Sequence, residues 1–137
     1  MKRNLFIAFG RIFILFLLSF GANAQEWKNL NPKMNHVLAD TTFLRATEVI
    51  LQPGEKSDMH THPAHFFYAL TDGKLIVHYK DGKNESFDLK PGMSGVSAPE
   101  RPHVTENGGS TTIKFLLVEL KEHPYDASKE KKNKGND

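Results

Sequence analysis

The 137-residue chain contains no cysteine. Disulfides are therefore excluded, and stability has to come from a packed core. The chain also lacks any segment with a convincing helical period of apolar residues, which argues against a helical bundle. No internal repeat is visible, so solenoids and propellers are set aside. An excess of positive charge is missing too, although the net charge of +2 first suggests one. Lys2, Arg3 and Arg11 lie in the first 24 residues, which hold no acidic residue, so 18 Lys+Arg against 16 Asp+Glu becomes 15 against 16 without them. A remaining chain of about −1 has no basic stripe for phosphates, which excludes nucleic acid as a partner.

Those first residues read as a secretory signal. A basic start is followed by the apolar run Ile12–Phe20, too short for an ordinary membrane span, and by Ala22-Asn23-Ala24 before Gln25. Arg11 interrupts the pattern, and an uncleaved anchor is the alternative. The expected organisation is a signal peptide over 1–24, an N-terminal arm and first strand over 25–41, a barrel over 42–120, and a polar, disordered tail over 121–137. The mature protein is then exported, periplasmic or secreted, and free of the membrane. Its single domain is large enough for one small core.

What the chain has is strand and turn. Runs rich in β-branched and aromatic residues, among them Thr42–Leu51, His65–Thr71, Lys74–Lys80 and Thr111–Leu120, alternate with Pro53-Gly54, Asp72-Gly73, Asp81-Gly82, Pro91-Gly92 and Asn107-Gly108-Gly109. About eight strands at 8–12-residue spacing predict an all-β fold, a single antiparallel jelly-roll β-barrel. Strand parity predicts inward faces carrying Thr47, Val49 and Leu51, and Leu75, Val77 and Tyr79.

The chemistry concentrates in His60-Thr61-His62-Pro63-Ala64-His65. In a strand His60 and His62 point the same way, and imidazoles suit Zn, Cu, Fe and Ni. His103 lies downstream in another strand that a barrel can bring alongside. Gly54-(x5)-His60-x-His62-(x10)-Gly73 resembles the first motif of the cupins, and Gly95–Asn107, ending His103-(x3)-Asn107, is similar to their second. The resemblance spans roughly Thr42–Leu120. It implies a barrel whose interior holds one divalent transition metal, Fe(II), Zn, Mn or Ni, on His60, His62 and His103.

The first motif of that family usually carries a glutamate ligand where this chain has Phe66. The resemblance therefore implies a three-histidine centre with one negative charge fewer, more electrophilic and suited to a small anionic molecule. Parity turns His65 away from the face shared by Phe66 and Tyr68. If that face is the inner one, Tyr68 is a candidate proton donor. Arg45 shares the parity of Thr47, Val49 and Leu51, so it either anchors a substrate carboxylate or, as preferred, sits on an outer sheet face or pairs with an acidic residue. Asn107 reads as a turn residue that bonds its own backbone. Two functions remain open: a metal-dependent enzyme, dioxygenase-like or an isomerase or lyase, and a non-catalytic module that binds a small ligand or the metal. Cupin-like domains often pair, so a homodimer is a further partner that the resemblance implies.

Overall fold

The computed structural model describes residues 31–129. The expected signal segment 1–24, Trp27 and the end of the expected tail from 130 lie outside the described residues.

Among the described residues nine strands follow one another: β1 Asn35–Asp40, β2 Leu44–Leu51, β3 His60–His62, β4 His65–Ala69, β5 Gly73–Tyr79, β6 Asn84–Leu89, β7 Ser94–Ser97, β8 Glu100–Asn107 and β9 Ile113–Leu120. They form a five-stranded sheet in the order β1-β2-β9-β4-β7 and a four-stranded sheet in the order β3-β8-β5-β6, with every ladder antiparallel. The expected all-β jelly roll is the fold found. Alternation along the strands sends Val49 and Leu51, Leu75 and Val77, and Ile113, Phe115 and Leu117 into the space between the sheets. Burying these side chains stabilises each by about 1.5–3 kcal/mol relative to leaving it in water.

The core is not uniform along the strands. Leu51 pairs with Ile113 and Val49 with Phe115, an apolar end of the barrel. Two further steps along the same ladder the inward residues are Thr47, opposite Leu117, and then Arg45, opposite Glu119. On the facing sheet Val77 gives way to Tyr79, which pairs with His103. One end of the barrel is therefore hydrocarbon and the other carries the titratable groups.

Gly73 shows why β5 must begin with glycine. Its φ is 151°, and a Cβ there would stand 2.1 Å from Cγ2 of Ile113, inside the buried end. The region after β9 departs from the expectation of a disordered tail starting at 121. Lys121 bonds Asp40 and the carbonyl of Thr41, and the carbonyl of His123 accepts from the Ala64 N–H at 2.9 Å. These contacts hold Lys121 against the turn between β1 and β2 and His123 against the turn between β3 and β4.

Candidate metal centre

β3 and β8 build the site. His60 pairs with His103, but His62 pairs with Glu100. Two residues advance on β3 while three advance on β8, so β8 carries a bulge at Arg101-Pro102. Pro102 cannot donate to a ladder, and a bulge is where an interior strand tolerates it. The extra residue has a consequence for direction. Glu100 and His103, three apart, would face opposite ways in a regular strand, yet both reach the cavity.

His60, His62 and His103 each offer one ring nitrogen, and those atoms lie within 4.8 Å of one another. The opposite nitrogens are already committed. His60 Nδ1 donates to the Asp58 carbonyl at 2.7 Å and His103 Nδ1 to the Arg101 carbonyl at 2.8 Å. His62 Nδ1 lies 2.7 Å from Oε1 of Glu119, which is 2% exposed. A carbonyl only accepts, so the ring proton of His60 and His103 sits on Nδ1 and a neutral ring then presents a lone pair at Nε2. His60 Nε2 stands 3.0 Å from His62 Nε2. With Glu119 accepting from His62, the two lone pairs converge, an arrangement a shared cation satisfies and two bare imidazoles do not.

Electrostatics agree with a cation site. Burial pushes His60 down to about 4, with His103 adding to the shift. Burial also takes His62 well below its usual range, followed by the neighbouring imidazoles of His60, His103 and His65. These two rings are therefore neutral at neutral pH, the form a metal requires. Burial pushes the Glu119 carboxyl up to about 7. The residues present thus fit a divalent metal on His60, His62 and His103, with Glu119 orienting His62 from behind. Replacing Glu119 with glutamine should weaken metal affinity by about 10–100-fold, the usual cost of losing an outer partner; competition with a chelator measures it.

Three expectations need correction. Phe66 and Tyr68 are each 38% exposed and lie on the outer side of β4, whereas His65 is 6% exposed and faces inward with Phe67 and Ala69. The alternation was read correctly but with its phase inverted, because Pro63-Ala64 ends β3 and β4 starts afresh in the other sheet. His65 stands with its ring centroid 5.1 Å from that of His62, and its Nδ1 donates to the Pro63 carbonyl at 2.9 Å. Tyr68 is therefore not placed to donate a proton in the cavity. Arg45 keeps the inward parity but is bound to Asp40, its Nη2 2.7 Å from Oδ2, which is the preferred alternative.

The tyrosine that does reach the site is Tyr79. Its hydroxyl donates to Oε1 of Glu100 at 3.0 Å, the Arg101 guanidinium lies 3.8 Å over its ring, and burial followed by the Glu100 carboxylate raises its pKa. Glu119 was legible in principle, as an acid on the inward parity of Ile113, Phe115 and Leu117. Glu100 was not, since its direction depends on the bulge. A cavity of about 370 Å³ opens in front of the histidines, walled by Phe67, Leu75, Val77, Phe115 and Leu117, with His62, His65, His103 and Glu100 at its polar end.

Comparison with known proteins agrees with this fold. A family model described as "Cupin domain" matches residues 47–119, more than half of the chain. Among solved structures, the chain is similar to a cupin domain from Bordetella pertussis Tohama I, at 23% identity and a TM-score of 0.58 over 63% of this chain and 90% of that one. It is also similar to a cupin family protein with a double-stranded β-helix fold from Methanocaldococcus jannaschii, at 15% identity and a TM-score of 0.53 over 70% of this chain and 84% of that one. At such identities the likeness is one of fold. No curated protein matches the chain.

Proposed function

The chain belongs to the cupin superfamily, and from the convergence of His60, His62 and His103 beside an apolar cavity whose polar end carries His62 and His103 we propose that it is a metal-dependent enzyme of oxygenase type. The observation that carries this reading is the commitment of the Nδ1 protons of His60 and His103 to carbonyls, which leaves Nε2 for a metal. Fe(II), Zn or Ni suits imidazole donors. A bound metal supplies a Lewis acid, and with Fe(II) a route to O₂ chemistry, beside the open cavity.

The cavity walls support a narrower substrate class than charge alone does. Among the described residues, no lysine or arginine lines the space of about 370 Å³. Such walls suit a small, largely apolar molecule whose anionic group would lie at the polar end, beside His62 and His103. Phe67, Phe115 and Leu117 exclude water around it. His65 and the Tyr79 hydroxyl are the proton-carrying groups at that end.

The test is O₂ uptake by metal-free protein loaded anaerobically with Fe(II) and given small diketones, thiols and flavonols. Consumption by the natural chain and none by His60→Ala is the expected outcome. Tight ligand binding with no consumption and no change in the ligand would instead make the protein a non-catalytic binding module.

A further inference from the structure

We propose that the cavity recognises a primary ammonium group on its substrate, received between Nε2 of His65 and Oε2 of Glu100. The inference deepens the reading of this cavity as the substrate site and rests on it. Neither side chain belongs to the converging nitrogens of His60, His62 and His103, and both line the cavity.

His65 carries the argument. It is 6% exposed, and its Nδ1 donates to the Pro63 carbonyl at 2.9 Å, which fixes the ring and leaves Nε2 for the cavity. Among the described residues no hydrogen bond reaches that Nε2, and Oε2 of Glu100 stands off at 4.0 Å, beyond hydrogen-bond range. The carboxylate is oriented through its other oxygen, Oε1, by the Tyr79 hydroxyl at 3.0 Å, and among the described residues Oε2 accepts no hydrogen bond. The phenol has one proton to give, and Oε2 of Glu85 lies 3.3 Å from the same hydroxyl. Acceptors therefore outnumber donors here. Two acceptors 4.0 Å apart can each lie about 2.9 Å from one nitrogen set between them. A hydroxyl has one proton to donate and a primary ammonium has three, so the ammonium satisfies both acceptors at once.

Charge points the same way. Glu85 and Glu100 both line the cavity, and no lysine or arginine lines it with them among the described residues. The Arg101 guanidinium is engaged elsewhere, over the ring of Tyr79 and paired with Asp81. A carboxylate set among hydrocarbon walls gains most from a partner that brings positive charge and hydrogen-bond donors together. Oε2 of Glu100 also lies 3.8 Å from Nε2 of His103. The substrate therefore has an apolar body and carries its ammonium next to the group that faces the histidines.

Benzylamine, benzyl alcohol and benzoate share a ring and differ in the charge beside it. Titrated into metal-free full-length protein in a calorimeter, benzylamine should bind at least about 10-fold more tightly than either of the others, the scale of a hydrogen bond to a charged group. Glu100→Gln keeps the shape of the side chain and removes its charge. It should weaken benzylamine by at least about 10-fold and leave benzyl alcohol unchanged. His65→Leu, checked for a natural thermal transition, should weaken benzylamine as well. Benzylamine binding no tighter than benzyl alcohol, or a preference for it that survives Glu100→Gln, would overturn the assignment. Zn(II) titrated into the same protein separates the two readings. Stoichiometric Zn(II) beside no amine preference would defeat the ammonium site alone, and an intact amine preference without Zn(II) binding would defeat the metal-dependent reading alone.

Discussion

Replacing His103 with alanine should abolish stoichiometric metal binding, while the same change at His78 should leave it intact. His103 is 1% exposed and contributes one of the three converging nitrogens. Its loss leaves two imidazoles from one short strand, His60 and His62, with no protein nitrogen from the facing strand. The affinity loss should exceed about 100-fold, the upper end for a mere outer partner. His78 is the control because its nitrogens are taken by Asn84 at 2.9 Å and Glu106 at 2.6 Å on the outer side of β5. Truncating a buried ring also costs packing, on the order of 2–4 kcal/mol. Affinity should therefore be measured on protein whose thermal transition shows it folded, and His60→Ala, at a less buried position, should lose metal as well. Retention of metal at natural affinity in folded His103→Ala would contradict the assignment.

Asn107→Ala is expected to be the most destabilising single polar substitution in the barrel. Asn107 is 0% exposed, and its side chain makes three bonds. Nδ2 donates to the carbonyls of Leu51 at 2.9 Å and Thr111 at 2.8 Å, and Oδ1 accepts from the Gly109 N–H at 3.0 Å. One amide thus ties the end of β2 to the loop between β8 and β9, across the two sheets. Alanine strands three backbone groups at the apolar end, each costing about 1–3 kcal/mol when buried and unmet. A loss of about 3 kcal/mol or more should appear as a fall in Tm of roughly 10 °C or more. Metal affinity of the folded fraction should hardly change, because Asn107 lies at the end of β8 remote from His103. A shift of less than a degree would mean that water or rearrangement replaces these bonds.

That contrast bears on how much was readable from residues alone. Turn dipeptides and alternating runs were enough for an all-β jelly roll and for the inward sets Val49-Leu51 and Leu75-Val77, because alternation holds within any unbroken strand. Asn107 was legible only in part: the bond to Gly109 N–H is the turn contact the spacing implies, but the bonds to Leu51 and Thr111 depend on which strands stack. His60 and His62 were legible because both fall on one short strand, and His103 because the cupin resemblance marks it as the third ligand.

The errors have a common cause. Alternation was carried across Pro63-Ala64, where the chain passes from one sheet to the other, and that inverted the phase of β4. His65 was therefore sent outward, and Phe66 and Tyr68 inward. Glu100 was invisible for the related reason that a bulge restarts the alternation inside β8. Periodicity reads direction along a strand, and it carries no information about where a corner or bulge resets the count.

The central claim is that one metal sits on His60, His62 and His103. Native mass spectrometry of metal-loaded protein, beside the His60→Ala/His103→Ala double variant, tests it most directly. The account predicts one metal ion per chain in the natural protein and none in the double variant. Metal retained in stoichiometric amount by the folded double variant, or absent from the natural chain, would contradict it.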